Sequence, residues 1–295
     1  MEKSTINLHM HTNCSLDGSE SPALLLDECE QKGITTVSIT DHDTCAAYHQ
    51  LETTKYTGKL ITGIEADAMV GKETYDILCY GFDLDEVATW AKNQYGTVEL
   101  RQQKIFTRLL EECEKIGIKV PNANTYNANT EYAHAALYRL LSETEQGTSF
   151  LQQYNINNVG DLYRAGTMKE DFPLYVDMCL VWPDIKEVKE IIHRNGGKIF
   201  VAHPYRYGES KVDIVLSNCL PYVDGIEICN DPENEDQVSY LYQYAKEHNL
   251  LMSTGSDYHG QSHKKHNTIY TEDLTPEMEE EITSWTKNYK SLIKK

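Results

Sequence analysis

Hydrophobic and polar positions along the chain fall into short apolar runs separated by longer amphipathic stretches. Seven runs read as strands: Thr5–Leu8, Thr36–Thr40, Leu60–Glu65, Tyr75–Tyr80, Lys198–Ala202, Val223–Ile228 and Leu250–Thr254. Several of the intervening stretches have helical spacing. Pro22 to Gln31 begins after Ser21, a residue type that caps helix N-termini, and stops at Gly33. Pro183 to Asn195 places Ile185, Val188, Ile191 and Ile192 on one face and ends at Gly196-Gly197. Strand alternating with helix at this spacing predicts a mainly parallel α/β sheet or barrel. The alternation lapses from Leu84 to Trp182, where only helical patterns occur, such as Glu99–Ile116 and Tyr132–Ser142. The expected organisation is a first barrel part over residues 1–83, a helical insertion over 84–182 that caps one end of the barrel, and a second barrel part over 183–295. A solvated terminal helix starting near Pro276 is expected to include the basic tail Lys287–Lys295.

Charge narrows the partners. The 295 residues carry 46 acids against 27 bases, a formal charge of −19 and a pI of about 4.9. Such a surface repels nucleic-acid polymers and anionic membranes, and admits a small anionic substrate only where bound cations reverse the field locally. The eight cysteines are scattered without a CxxC pair, which argues against a zinc ribbon or a dithiol redox site. Neither a signal-peptide core nor a membrane-length apolar run occurs, so a reduced, cytoplasmic protein is expected. Nothing in the sequence indicates the oligomeric state.

Polar residues cluster at the strand ends. His9 and His11 follow the first run, where alternate residues of an extended strand share a face, and Asp17 comes soon after. Asp41 and His42 follow the second run, Glu65 closes the third, His203 follows the fifth, Glu227 lies in the sixth, and Asp257 and His259 follow the seventh. In a parallel barrel these ends lie on one face, where barrel enzymes place their chemistry. Core packing accounts for one buried histidine but not for five. His9, His11, Asp17, His42, Glu65, His203, Asp257 and His259 exceed the needs of a single ion. They suit two or three divalent metal ions, with Glu65 or Asp257 bridging. Mixed imidazole and carboxylate donors fit manganese, iron or zinc alike.

HMHTNCSLDG, ITDHD, GIEAD, AHPYRYG and GSDYHG, in this order from His9 to His259, resemble the PHP (polymerase and histidinol phosphatase) family of metal-dependent phosphoesterases. The resemblance implies a distorted (βα)7 barrel, the eight residues above as metal ligands, and hydrolysis of a small phosphomonoester to an alcohol and inorganic phosphate. The insertion is similar to that of the branch acting on nucleotide monophosphates and bisphosphates. There a histidine near the start of an insertion helix joins the site, and His134 in EYAHAALYRLL has the similar place.

Two positions depart from the family pattern. Where a histidine is common after the glutamate motif, this chain reads YDILCYG with Asp76. A hairpin turning at Gly71-Lys72 would bring Asp76 near Glu65 as an oxygen ligand, the alternative being a solvated aspartate. Tyr132 stands where an arginine is common. Arg206 is the candidate phosphate clamp, since a guanidinium grips two oxygens at once. It is expected to act with His203 and Asp257 as the catalytic set, a metal-bound water, or a histidine or acid of the site, protonating the leaving alkoxide. Glu227 is a candidate for orienting a ligand histidine or binding substrate, and Tyr205 for stacking on a ring of the substrate. His49, His193, His248, His263 and His266 read as structural or surface residues. The alternatives are a histidinol-phosphate phosphatase, an amidohydrolase-type metal hydrolase and a metal-binding module without catalysis.

Overall fold

A computed structural model describes residues 4–15, 17–167, 169–230, 234–263, 266–270 and 274–293. Among them the strands are β1 (Ile6–Asn7), β2 (Thr36–Ser38), β3 (Lys59–Ile61), β4 (Gly63–Val70), β5 (Glu73–Tyr80), β6 (Lys198–Val201), β7 (Gly225–Asn230) and β8 (Leu251–Gly255). The helices are α1 (Pro22–Lys32), α2 (Leu84–Tyr95), α3 (Val98–Lys115), α4 (Ala133–Ser142), α5 (Glu145–Gln153), α6 (Ile185–Arg194), α7 (Val212–Cys219), α8 (Glu235–Glu247) and α9 (Pro276–Thr286). The architecture is α/β with two sheets. One has the order β1-β2-β3 and is parallel throughout; the other has the order β4-β5-β6-β7-β8. The second sheet is mixed, because β5 and β6 run antiparallel while β6, β7 and β8 are parallel.

The expected third strand is two strands. The apolar run Leu60–Glu65 breaks at Thr62, so that β3 pairs with β2 and β4 pairs with β5. Thr62 turns its hydroxyl to the Phe82 carbonyl at 2.8 Å. The expected turn at Gly71-Lys72 joins β4 to β5, with Gly71 at φ +65°, where a side chain would be strained. Two sets of backbone hydrogen bonds link the sheets. Leu8 N–H donates to the Thr254 carbonyl at 2.9 Å, Asp257 N–H to His9 at 2.9 Å and His11 N–H to Tyr258 at 2.8 Å. On the other side Asp43 N–H donates to the Glu65 carbonyl at 2.8 Å. These links bring the chain after β1 beside the chain after β8, and the chain after β2 beside β4.

Helix boundaries follow from their caps. Ser21 accepts from Leu24 N–H at the start of α1, and Gly33 ends it in the left-handed conformation. Asp184 caps α6, whose buried face is Ile185, Val188, Ile191 and Ile192. β7 is buried on both faces along its length, and Leu8, Val37, Leu60, Ile64, Ile77 and Phe200 are likewise fully buried. Each such side chain contributes about 1.5–3 kcal/mol on burial. The tail departs from expectation: α9 stops at Thr286, and Lys294 and Lys295 lie outside the described residues. The chain after α9 instead runs beside β3, with Leu292 N–H donating to Leu60 at 2.9 Å and Leu60 N–H donating to Ser291 Oγ at 3.1 Å. An edge strand left open would expose these groups unpaired.

The chain divides into two compact units. The first comprises Met1–Val70, Thr74–Asn93 and Pro183–Lys295; the second comprises Gly71–Glu73 and Gln94–Trp182. The second is helical, built on α3, α4 and α5, with Leu109, Leu137, Leu140 and Leu141 fully buried. Among the described residues no helix is long and apolar enough to cross a membrane.

Candidate metal centre

All but one of the expected site residues lie in the first unit, and nine of them form three overlapping groups, within each of which the donor atoms lie within 4.8 Å of one another. The first is His9, His11, Glu65 and Asp257, brought together by the links between the ends of β1 and β8. His9 Nε2 lies 3.1 Å from His11 Nε2, 3.0 Å from Glu65 Oε2 and 3.0 Å from Asp257 Oδ1. The second is Glu65, Asp76 and His203, with His203 Nε2 3.0 Å from Glu65 Oε1. The third is His11, Asp17, His42 and His259. There Asp17 Oδ2 lies 3.3 Å from His259 Nε2 and 3.5 Å from His42 Nε2. Glu65 thus turns one oxygen to each of the first two groups, the geometry of a bridging carboxylate.

The residues behind these groups aim their lone pairs. Glu227, fully buried, accepts from His9 Nδ1 at 2.9 Å and from the His203 backbone N–H at 2.7 Å. A proton on Nδ1 leaves the His9 Nε2 lone pair facing the first group. His259 Nδ1 lies 2.6 Å from the Asp257 carbonyl, which turns Nε2 toward Asp17 in the same way. Asp41 does not face the groups. It accepts from Thr12 N–H, Thr12 Oγ1 and Ser15 Oγ at 2.6, 2.7 and 2.9 Å, fixing the loop between His11 and Asp17. His203 (φ 26°) and Asp257 (φ 51°) both hold left-handed backbone conformations unusual for residues with a Cβ.

The donor set fits a divalent cation. Burial alone disfavours charge on the four members of the first group. Burial pulls the His11 imidazole down, yet Asp257 and Glu65 raise it to about 10. His9 also stands well above its ordinary value, because Glu65, Glu227 and Asp257 outweigh its burial. Burial pushes Glu65 and Asp257 up, and the surrounding imidazoles hold both well below the carboxylate range. So many buried carboxylates demand balancing positive charge at their centre. Both Asp257 oxygens and His203 Nδ1 are buried without a well-formed hydrogen bond. Imidazole nitrogens and carboxylate oxygens that converge in this manner are the donors of first-row divalent ions.

Arg206 lies on a 3-10 turn, Pro204–Tyr207, after β6. It forms an ion pair with Asp257 Oδ2, and its Nη2 lies 3.3 Å from Asn230 Oδ1 and 3.1 Å from His266 Nδ1. Tyr205 packs edge-on against Tyr240, and the Tyr207 hydroxyl accepts from Asp76 N–H at 2.7 Å. His263 and His266, expected as structural or surface residues, place their rings 5.1 and 5.4 Å from that of His259. No periodic signal marks them, since they sit on an irregular segment. His193 pairs with Asp224, and His248 packs on Tyr244. His134 belongs to the second unit, buried at the start of α4 with Nε2 2.9 Å from Thr167 Oγ1.

Residues 7–194 match the PHP domain family. A 5′-3′ exoribonuclease of Haemophilus influenzae is 28% identical over 260 residues, covering 86% of this chain and 89% of that protein. A 3′,5′-nucleoside bisphosphate phosphatase of Chromobacterium violaceum is 23% identical over 279 residues, covering 92% and 93%. Among solved structures, one from C. violaceum described as an amidohydrolase with bound sulfate superposes with a TM-score of 0.62 at 21% identity, covering 92% of this chain and 93% of that one. Another, from Bifidobacterium adolescentis and described as a candidate metal-dependent phosphoesterase, gives 0.57 at 20% identity, covering 95% of each. These structures share the fold. With the match spanning most of the chain and the three donor groups gathered at its strand ends, the protein belongs to the PHP domain family.

Proposed function

We propose that the protein is a metal-dependent phosphoesterase that hydrolyses a small phosphomonoester of nucleotide type, a monophosphate or bisphosphate, to an alcohol and inorganic phosphate. The observation that carries this reading is the convergence of three donor groups sharing Glu65 and His11, with Arg206 paired to Asp257 at their edge. His9, His11, Glu65 and Asp257 would hold one ion, Glu65, Asp76 and His203 a second, and Asp17, His42 and His259 a third. Manganese, iron or zinc bound there supplies Lewis-acid charge for the phosphoryl oxygens and an acidified water as nucleophile. His134 is left out of this set because its Nε2 is engaged with Thr167.

The chain's own residues complete the chemistry. Arg206 offers guanidinium donors to the phosphoryl oxygens, in the direction its pairing with Asp257 already gives it. Glu227 fixes the His9 ring, His203 would pass a proton to the leaving alkoxide, and Asp257, held well below the carboxylate range, would hold Arg206 in place rather than donate a proton. Tyr205 lies next to Arg206 for contact with the organic part of the substrate. The edge links between the two sheets support a distorted (βα)7 barrel interrupted by the helical insertion over residues 84–182. A cytoplasmic location goes with the eight free cysteines.

The C. violaceum bisphosphate phosphatase supports a small substrate. The exoribonuclease of H. influenzae supports a second reading, release of nucleotides from the 5′ end of RNA. The charge of −19 favours the first. Phosphate and nucleotide release would be measured with manganese on nucleoside monophosphates, 3′,5′-bisphosphates, histidinol phosphate and a 5′-phosphorylated oligoribonucleotide. The expected result is phosphate release, fastest from a nucleotide and abolished in His9→Ala. Preference for the oligoribonucleotide overturns the small substrate, and activity confined to amides or lactones overturns the reaction.

A further inference from the structure

We infer that Asn230 is a positioning residue that couples the phosphate clamp Arg206 to the metal-facing imidazole of His9, an inference that rests on the phosphoesterase reading. Asn230 is 2% exposed at the end of β7. Its Oδ1 accepts from Arg206 Nη2 at 3.3 Å, and its Nδ2 donates to Glu227 Oε2 at 3.3 Å. Chemistry sets the orientation of this amide, because a guanidinium only donates and a carboxylate only accepts. The other oxygen of Glu227 accepts from His9 Nδ1 at 2.9 Å. Arg206 in turn pairs with Asp257 Oδ2, and Asp257 Oδ1 lies 3.0 Å from His9 Nε2. The five side chains close a ring that includes His9 and Asp257 of the first donor group, with Asn230 its only amide.

A backbone irregularity puts Asn230 there. Successive side chains of a strand alternate faces, so residues 227 and 230 would point to opposite sides of a regular β7. The ladder with β8 pairs Glu227 with Ser253 but Cys229 with Thr254 and Asn230 with Gly255. Ile228 is therefore the extra residue of a β-bulge, and the alternation resets so that Glu227 and Asn230 share the site face. Deleting the bulge would turn Asn230 away from Arg206.

The test uses the full chain loaded with manganese. Wild type, Asn230→Ala, Asn230→Ser, Arg206→Ala and Asn230→Ala/Arg206→Ala would be compared. Inorganic phosphate binding is read by calorimetry, KM and kcat with p-nitrophenyl phosphate, and metal content by mass spectrometry. Loss of a hydrogen bond to a charged group predicts about 10-fold weaker phosphate binding and a KM raised in parallel. Metal content should remain at the wild-type level, and the double variant should bind phosphate no more weakly than Arg206→Ala. The serine variant gives the same reading if the alanine variant does not fold. Unchanged phosphate affinity, loss of metal, or losses that multiply in the double variant would overturn the role. If the wild type binds phosphate but hydrolyses no ester, the phosphoesterase reading fails, while the binding comparison still decides the role of Asn230.

Discussion

His9 and His134 are both buried imidazoles, yet their surroundings shift them in opposite directions. His9 faces three carboxylates and is raised despite its burial. His134 has Thr167 at its Nε2, and burial pushes it down from 6.5 to about 4. A group whose folded pKa is depressed binds fewer protons in the folded state, so its contribution to stability is present above pH 6.5 and is lost as pH falls toward 4. His134→Gln removes the ionisable group. The melting temperature of the wild type should therefore drop more between pH 7 and pH 5 than that of the variant, and equal drops would contradict the assignment. At this scale position at a strand end marked most of the residues that the fold brings together, and little elsewhere in the sequence did so. His9, His42 and Asp257 announce themselves by position. Asp41 and Asn230 do their work through hydrogen bonds to neighbours, and a neutral or non-facing side chain carries no metal-like spacing to find. His263 and His266 reach His259 through an irregular segment that no period describes.

At the scale of elements, patterning showed the alternation of strand and helix because burial imposes it. It did not show where a strand changes sheets or gains a residue. The break at Thr62 and the bulge at Ile228 are backbone events that leave the apolar run uninterrupted. The hairpin was legible because Gly71 supplies a conformation other residues resist. The end of α9 was not, since the tail leaves the helix to pair with β3, a tertiary preference that helical propensity does not encode. The close approach of β8 to β1 leads to a direct prediction. A Cβ on Gly255 would fall 2.1 Å from His9 Cβ and 2.4 Å from His9 N, and backbone cannot move aside as a flexible side chain can. Gly255→Ala should destabilise the protein by about 2–4 kcal/mol and displace His9 from the first donor group. Denaturant unfolding checks the stability, and retention of wild-type stability and metal content would contradict it.

For the whole molecule, an acidic chain of formal charge −19 gathers carboxylates and imidazoles into one centre at its strand ends. The centre is contained in the first compact unit, although its residues come from positions 9 to 259 in the sequence. A bound divalent cation would balance Glu65, Asp257 and Asp17 while leaving the imidazole lone pairs directed inward. Glu65 is a carboxylate that two groups share, so its removal should cost more than one coordination bond. The most direct measurement is the metal content per chain after loading with manganese and removing free ion, in wild type and in Glu65→Ala. The structure predicts more than one ion per chain in the wild type and loss of at least one in the variant. A wild type that retains no ion, or a variant that retains as many as the wild type, would contradict the metal centre on which the proposed phosphoesterase depends.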